Sequence, residues 1–336
     1  MRKKRIAIIC PGRGSYTRET TNYLQFEKNI LSKEIKWMND ERIKSDMPSL
    51  TELDSQKFRA RTHMVGVNAS PLIYGCSISD FLTIDKNKYD IVSVLGNSMG
   101  WYTSLVLSGA LTYEDGFHLI QLMGSMMKDD IIGGQMIYPI INDDWVTDEE
   151  VCDFVLSEVK NHGAYISIKL GGYIVIGGDV KTLKKLLKIF PAYDNFPLII
   201  PYHAAFHTPL LNTISKSAFE LIDSLIFKKP RIPLIDGRGC VWSPYSTNPM
   251  ELMEYTLGYQ VTNTFDFTSS VTVALKEFCP DILVLLGPGN SLGGAVGQIL
   301  IMNKWLNINS KKDFSKLQKE NPFVLSLGIE EQSKIL

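Results

Sequence analysis

Three short apolar segments, each closed by a glycine turn, constrain the fold of this chain most strongly. They span residues 5–10, 89–95 and 281–286, are rich in isoleucine, valine and leucine, and end at Pro11-Gly12, Gly96 and Gly287. An apolar run without polar alternation is typical of a strand buried on both faces, as in a parallel sheet covered by helices. Helical spacing at residues 101–110 and 111–128 follows the second segment. We therefore predict an α/β fold with a parallel sheet.

The segment from residue 134 to 200 has a different pattern. It predicts strands at 135–141, 164–169, 173–177 and 197–202 and helices at 147–160 and 180–189. The order βαββαβ is the ferredoxin-like pattern. Because parallel α/β signals resume afterwards, we predict a small ferredoxin-like subdomain at 134–200, inserted into a large α/β domain formed by residues 1–133 and 201–336.

Composition excludes several classes of protein. In 336 residues, 35 Lys and Arg nearly cancel 36 Asp and Glu, which argues against a nucleic-acid partner. No apolar run approaches the roughly 18 residues of a membrane span. The five cysteines are scattered and lack CxxC spacing, which predicts a reducing cytoplasm and no zinc site. Since no metal or nucleotide motif is present, we expect no metal and no bound cofactor. The charged stretch Glu34–Lys57 is predicted to be exposed.

The chemical signal lies at Gly96-Asn97-Ser98-Met99-Gly100, between a predicted strand and a predicted helix. This is the G-x-S-x-G nucleophile elbow in its strand–turn–helix context. An ordinary turn with a small polar helix cap would have similar residues. The flanking strand and helix favour the elbow, with Ser98 as the nucleophile and the N–H of Met99 facing a developing oxyanion.

A serine nucleophile needs a base, and the chain has five histidines, at positions 63, 118, 162, 203 and 207. His118 falls within a predicted helix and His162 within a turn. His203 and His207 lie in a loop that leaves a strand, where catalytic groups are common. The residues alone leave these two as equal candidates.

Five blocks in the same order resemble one family along nearly the whole chain, the malonyl-CoA:acyl-carrier-protein transacylases and the acyltransferase domains of fatty-acid and polyketide synthases. PGRGS is similar to the family's PGQGSQ, and GNSMGWYTSLVLSGAL to its GHSLGEYTAL…GAL block. The other three blocks are residues 62–70, 202–210 and 286–292, which resemble TQPAL…AS, APFHSPLM and GPG…L.

The resemblance implies an α/β-hydrolase-like core with Ser98 as nucleophile and His207 as base. It also implies an oxyanion hole formed by the main-chain N–H groups of Arg13 and Met99. The segment Asn263–Phe267, NTFDF, resembles the family's NPVQW, whose main chain helps to orient the histidine. Because Asp266 replaces the family's glutamine, two alternatives stay open: the Asp266 carboxylate orients His207, or the main chain near Asn263 does.

The departures from the family pattern concern the acyl group. Met123 stands where malonyl-using members carry an arginine, so the bidentate contact to a free carboxylate is missing and an uncharged acyl group is favoured. Arg13 and His63 replace glutamines, and either side chain offers a different route to a negative charge. Asn97 and Trp101 reshape the pocket, and Phe206 narrows it beside the acyl α-carbon.

Three functions follow from these residues. The first is acyl transfer from acyl-CoA or another acyl thioester, through an acyl-enzyme, to the phosphopantetheine thiol of an acyl carrier protein. The second is hydrolysis of acyl groups from carrier proteins by the same Ser98 and His207. The third, a non-catalytic carrier-protein-binding module, is disfavoured because both residues are retained. We predict the transferase, acting as a cytoplasmic monomer in fatty-acid or polyketide synthesis.

Overall fold

The structure, a computed structural model, describes residues 2–25, 32–128 and 131–336 and contains two β-sheets surrounded by helices. The first sheet has six strands in the order β11-β10-β1-β2-β7-β8. Its strands are β1 (Lys4–Cys10), β2 (Tyr89–Gly96), β7 (Leu234–Ile235), β8 (Val241–Trp242), β10 (Ile282–Leu285) and β11 (Val324–Ser326). Five of these strands are parallel, and β8 pairs antiparallel with β7 at the edge.

Helices cover both faces of this sheet, as its apolar strands require. Residues Ile6–Cys10 of β1 are completely buried between β2 and β10. The helices of the large part of the chain are α1 (Lys33–Lys44), α2 (Leu50–Ser55), α3 (Ala60–His63), α4 (Gly66–Thr83), α5 (Gly100–Leu107) and α6 (Tyr113–Ser125), and, after the second sheet, α9 (Asn212–Leu221), α10 (Pro249–Glu254), α11 (Gln260–Thr262), α12 (Phe267–Phe278), α13 (Gly293–Met302), α14 (Lys311–Glu320) and α15 (Glu330–Ser333). The predicted parallel sheet is therefore present.

The second sheet has five strands in the order β6-β3-β5-β4-β9. Four of them come from the segment 134–200: β3 (Gly134–Pro139), β4 (Tyr165–Leu170), β5 (Tyr173–Gly178) and β6 (Leu198–Ile199), with α7 (Glu149–Asn161) and α8 (Val180–Ile189) between them. The chain order β3-α7-β4-β5-α8-β6 matches the predicted element order. Helices α7 and α8 pack on the sheet through a core of their own, which includes Val155, Val159, Leu183 and Leu186.

One strand of this sheet comes from outside the predicted insertion. β9 (Phe265–Asp266) pairs parallel with β4, so that residues 265 and 266 extend the small sheet. The second sheet therefore includes a strand from beyond residue 200, the predicted end of the inserted segment. A strand of two residues is too short to show a periodic pattern in the sequence, and it is recognised only by its hydrogen bonds to the neighbouring strand.

The charged stretch at 34–57 is less exposed than its composition predicts. Arg42 and Asp54 are completely buried. The Arg42 guanidinium donates hydrogen bonds to the carbonyl oxygens of Pro48 and Val67 and to Gln121 Oε1, at 2.6–2.9 Å. These acceptors replace water, which allows a charged side chain to be buried. Among the described helices, none is both long enough and apolar enough to span a membrane.

Candidate active site

The segment Gly96–Gly100 forms a sharp turn between β2 and α5. Ser98 has a φ of 53°, a strained value for a non-glycine residue and a feature of such elbows. A Cβ atom on Gly96 would collide with the main chain of Gly100, and one on Gly100 with the carbonyl of Cys10. The two glycines are therefore required by close packing of the turn against itself and against β1.

His207 lies within hydrogen-bonding distance of the elbow serine. Its Nε2 is 2.8 Å from Ser98 Oγ, and its Nδ1 is 2.5 Å from the main-chain oxygen of Gln260. A carbonyl oxygen can only accept, so Nδ1 carries the proton and the lone pair of Nε2 faces Ser98. Burial lowers the pKa of His207 to about 4, although the hydrogen bond that Nδ1 donates to the Gln260 carbonyl acts in the opposite direction and raises the pKa. At neutral pH the imidazole is therefore free to accept the Ser98 proton.

The carbonyl that orients His207 comes from a helix end. Residues Tyr255–Tyr259 form a π-helical turn that continues α10 into α11, and α11 ends at Thr262. The last four carbonyls of a helix lack partners within it, so the Gln260 oxygen is available to His207. The Gln260 side chain also donates to the Ser98 carbonyl at 3.2 Å and accepts from the Tyr102 hydroxyl at 3.1 Å. The sequence interpretation missed Gln260, because a main-chain acceptor has no residue signature.

Neither residue proposed from NTFDF contacts His207. Asp266 accepts a hydrogen bond from the Ser269 N–H as the N-cap of α12, and pairs with Lys169 at 3.1 Å. The Asn263 side chain bonds to the Tyr259 carbonyl and to the Thr262 hydroxyl. The alternative in which the Asp266 carboxylate orients His207 is therefore wrong in this structure. The main chain performs this role, at Gln260 and not at Asn263.

The two predicted oxyanion donors, Arg13 and Met99, line the same cavity as Ser98 and His207. Met99 is the N-cap residue of α5, and Arg13 lies on the turn after β1. This turn packs against the elbow, because Gly100 lies in close contact with the main chain of Cys10 and Pro11. An N–H at the start of a helix has no acceptor within the helix, so the Met99 N–H is available to a developing negative charge.

The cavity beside this pair has a volume of about 300 Å³ and is mainly apolar. One part of its wall comes from residues outside the segment 134–200: Ile120, Met123, Met127, Leu211, Ile214 and Val261. The facing part comes from the small sheet and the strand leading out of it: Ile137, Ile168, Leu170, Val175, Leu198 and Ile200. Arg13 is the only formally charged side chain among the described residues that line it.

Arg13 closes one edge of the cavity together with Phe206. Its Nη2 donates to the carbonyl oxygens of Met64 and Tyr202, each at 2.8 Å, and its Cζ lies 5.1 Å from the centre of the Phe206 ring. Burial lowers the pKa of Arg13 to about 10, so the guanidinium stays charged at neutral pH. One guanidinium group thus connects three chain segments around the cavity.

The other predicted pocket residues divide into two groups. Asn97 and Met123 line the cavity, and Asn97 Oδ1 is buried without a hydrogen-bond partner in the described parts of the chain. His63 is not among the lining residues. Its Nδ1 accepts from the Arg59 N–H at 3.0 Å, its Nε2 is 2.9 Å from the Leu53 carbonyl, and its ring stacks between Tyr16 and Phe58. The structure therefore corrects the prediction for His63: both ring nitrogens are used to pack α3, and none is left for a substrate.

Trp101, which was also predicted to shape the pocket, is fully buried against Tyr255 and is not among the residues that line the cavity. In the part of the chain that the structure describes, no cluster of His, Cys, Asp and Glu side chains is suited to a metal ion.

Fold and site together define an α/β protein with a serine–histidine pair beside an apolar cavity. Known proteins are similar to the chain in sequence and in fold. No family model matches. The malonyl CoA-acyl carrier protein transacylase of Bacillus subtilis (strain 168) is 24% identical over 300 residues, which cover 88% of this chain and 90% of that protein. The malonyl-CoA:ACP transacylase of Synechocystis sp. PCC 6803 superimposes with a TM-score of 0.75 at 15% identity and covers 99% of this chain and 100% of its own. A malonyl-transacylase solved in complex with its type II polyketide acyl carrier protein has a TM-score of 0.71 at 18% identity and covers 88% of this chain and 93% of its own.

The chain is therefore similar, in sequence and in fold, to proteins named as malonyl-CoA:acyl-carrier-protein transacylases, which are acyltransferases.

Proposed function

We propose that the protein is an acyl-thioester:acyl-carrier-protein S-acyltransferase that acts through an acyl-enzyme on Ser98. The observation that carries this proposal is the 2.8 Å contact between Ser98 Oγ and His207 Nε2, with Nδ1 held by the Gln260 carbonyl. This arrangement gives a nucleophile, its base and the group that orients the base. The relatives and solved structures named as transacylases support transfer as the reaction.

In the first half-reaction His207 Nε2 takes the proton of Ser98 Oγ, which attacks the carbonyl carbon of the thioester. The oxyanion of the tetrahedral intermediate accepts hydrogen bonds from the Met99 and Arg13 N–H groups. The C–S bond then breaks, and the leaving thiolate of coenzyme A takes the proton from His207. In the second half-reaction His207 removes the proton of a phosphopantetheine thiol, whose sulfur attacks the acyl carbon of the acyl-enzyme. The bond between this carbon and Ser98 Oγ then breaks, and Ser98 Oγ takes the proton back from His207. No bound cofactor takes part in this scheme, and all its side chains belong to one chain.

We assign an uncharged acyl group to the enzyme. Met123 lies in the cavity wall with Ile120, Met127 and Val261, and none of them can pair with a carboxylate. A buried carboxylate without a partner is strongly disfavoured. Arg13, the one cation among the described wall residues, donates twice through Nη2 to carbonyl oxygens, and its buried Nε lacks a hydrogen-bond partner among the described residues. The apolar cavity therefore favours acetyl or longer alkyl chains over malonyl, the group named for the relatives.

We also propose that the protein consists of a hydrolase-like core and an inserted subdomain. The parallel sheet with its serine elbow supports an α/β-hydrolase-like core. The strand order β6-β3-β5-β4, with α7 and α8 on one side, supports a ferredoxin-like subdomain at 134–200. We expect the thioester to enter where the two meet, because the cavity wall is drawn from both.

Mass spectrometry of a transfer assay tests the function. Purified protein is incubated with acetyl-, butyryl- or malonyl-CoA, with holo-acyl carrier protein or free pantetheine as acceptor. We expect an acyl adduct on the enzyme and acyl-loaded acceptor from acetyl- or butyryl-CoA, with malonyl used more slowly. Release of free acid without loading of either acceptor would identify a hydrolase instead. Preferred loading of malonyl would overturn the assignment of the acyl group.

The substitution Met123→Arg is expected to raise the use of malonyl-CoA relative to acetyl-CoA. A new guanidinium in the cavity wall would pair with the free carboxylate, and a charge-assisted hydrogen bond is worth about 1.5–3 kcal/mol, or roughly tenfold or more in kcat/KM. Steady-state kinetics with both thioesters measures the ratio. Met123→Leu is the matched control and should keep the preference for the uncharged group. An arginine variant that still forms the acetyl adduct but shows no change in the ratio would contradict the role of position 123.

A further inference from the structure

A second histidine, His203, lines the cavity and has no part in the scheme above. It lies on the loop between β6 and the catalytic His207, and its ring contacts Phe206 edge-on at 5.8 Å between centroids. His203 is only partly buried, whereas His207 is almost fully buried. The cavity is therefore in contact with two imidazole rings, of which only one reaches Ser98.

A chain of buried hydrogen bonds fixes the tautomer of His203. Ser167 Oγ donates to the Phe206 carbonyl at 2.7 Å, so it must accept from its other neighbour, Gln135 Nε2, at 2.6 Å. This orientation of the amide directs Gln135 Oε1 at His203 Nδ1, 2.7 Å away. An amide oxygen can only accept, so Nδ1 carries the proton of His203. Gln135 and Ser167 are both buried, and water therefore does not compete with this order.

With Nδ1 protonated, Nε2 is an acceptor unless the ring takes up a second proton. Burial lowers the pKa of His203 well below its usual range, and the positive charge of the nearby Arg13 lowers it further. The ring is therefore neutral at physiological pH. No group in the described residues donates a hydrogen bond to Nε2, which leaves an unpaired acceptor in contact with a largely apolar cavity.

We propose that His203 Nε2 accepts a hydrogen bond from an N–H or O–H group of the bound thioester and thereby selects substrates that carry such a donor. This inference rests on the proposed function and names a specificity determinant of that site. An unmatched acceptor in an apolar cavity disfavours a purely apolar group beside it, because its desolvation is then not compensated. It also disfavours a carboxylate, whose oxygens would face the lone pair of Nε2.

Two parts of a thioester substrate can supply the donor. The amide N–H groups of a pantetheine arm are one source, and a hydroxyl on the acyl chain is the other. Both have the same chemistry at Nε2, so pairs of substrates must separate them. Butyryl and 3-hydroxybutyryl thioesters on the same arm differ only in the acyl hydroxyl. Butyryl thioesters of N-acetylcysteamine and of its N-methylated amide differ in the arm N–H.

The experiment compares the native protein with His203→Phe and His203→Gln in kcat/KM for these four thioesters. Phenylalanine keeps a ring but removes the acceptor, whereas the Gln Oε1 can take the place of Nε2. We expect His203→Phe to lose roughly three- to tenfold in kcat/KM for the donor-bearing member of one pair, the range of a single hydrogen bond. The member without the donor should change little, and His203→Gln should recover most of the loss. His162→Gln, on the small-domain surface beside Glu158, is the control and should behave like the native protein.

p-Nitrophenyl butyrate has neither donor and reports Ser98 acylation alone. A retained burst of p-nitrophenol in His203→Phe shows that the variant is folded and that Ser98 and His207 still react. The test of the proposed acyl-enzyme is therefore independent of the test of His203. Equal losses for both members of each pair, or no loss for any, would overturn the role of His203. ¹⁵N chemical shifts of the native ring provide a second check: protonation at Nε2 in place of Nδ1 would contradict the tautomer on which the inference depends.

Discussion

Replacement of Ser98 with alanine is expected to abolish the acyl-enzyme and to reduce acyl transfer by roughly 10⁴-fold or more, the cost found when the nucleophile of a serine–histidine site is removed. Ser98 Oγ is the only protein atom that joins the substrate covalently in the proposed reaction, and without it His207 has no nucleophile to activate in the first half-reaction. Intact-protein mass spectrometry after incubation with butyryl-CoA measures the adduct, and loading of pantetheine measures the transfer.

Ser291→Ala is the matched control, because Ser291 also lines the cavity but is exposed and has no contact with His207 recorded among the described residues. It should retain the adduct and the transfer rate. The Ser98 variant should bind acyl-CoA and keep the thermal stability of the native protein. Persistence of the adduct in Ser98→Ala would place the nucleophile elsewhere and refute the acyl-enzyme at this position.

Gly100→Ala is expected to destabilise the protein and to prevent Ser98 acylation. The added Cβ would collide with the Cys10 carbonyl and come within 2.8 Å of the Pro11 oxygen. Relief requires α5 to move away from β1 and the Arg13 turn, which disturbs both the elbow and the oxyanion donors. Forced overpacking of this kind typically costs about 1–3 kcal/mol. Denaturant unfolding gives the stability, and the p-nitrophenyl butyrate burst gives the acylation.

Gly294→Ala provides the comparison in a helix where space is available. No heavy atom lies within 4 Å of a Cβ placed there, and the residue is in α13. Alanine is favoured over glycine in a helix by roughly 0.5–1 kcal/mol, so this variant should be as stable as the native protein or more so. If Gly100→Ala unfolds like Gly294→Ala and keeps its burst, the close packing of the elbow is not what holds Ser98 in place.

Those parts of the fold that rest on local pattern could be predicted from the sequence. The apolar runs at 5–10, 89–95 and 281–286 form adjacent parallel strands in the structure. Apolar segments with no polar face are typical of strands that are buried on both sides. The order of strands and helices within 134–200 followed from alternating periods in the same way. The elbow was visible because its glycines and serine have fixed spacing.

The site was harder to predict where it depends on main chain or on tertiary contact. The residues alone left His203 and His207 equivalent, and the family resemblance chose His207. The structure distinguishes the two by their partners: a helix-end carbonyl and Ser98 for His207, Gln135 for His203. The family resemblance predicted a pocket role for His63, yet the carbonyl of Leu53 and the N–H of Arg59 occupy both its nitrogens. The sequence around a histidine does not predict which main-chain groups the fold will bring next to its ring.

The pairing of β9 with β4 limits how the protein can be divided or recombined. Residues 265 and 266 lie three and four positions beyond Thr262, where the helix that orients His207 ends, and they pair with Ile168 and Lys169 at the edge of the small sheet. A graft that exchanged 134–200 for the corresponding segment of a relative would remove the hydrogen-bonding partner of β9. It would thereby alter the chain that leads back to Gln260. A recombinant that exchanges the small sheet must therefore carry residues 260–266 with it. Otherwise the exchange changes the cavity wall and, at the same time, weakens the support of His207 by Gln260.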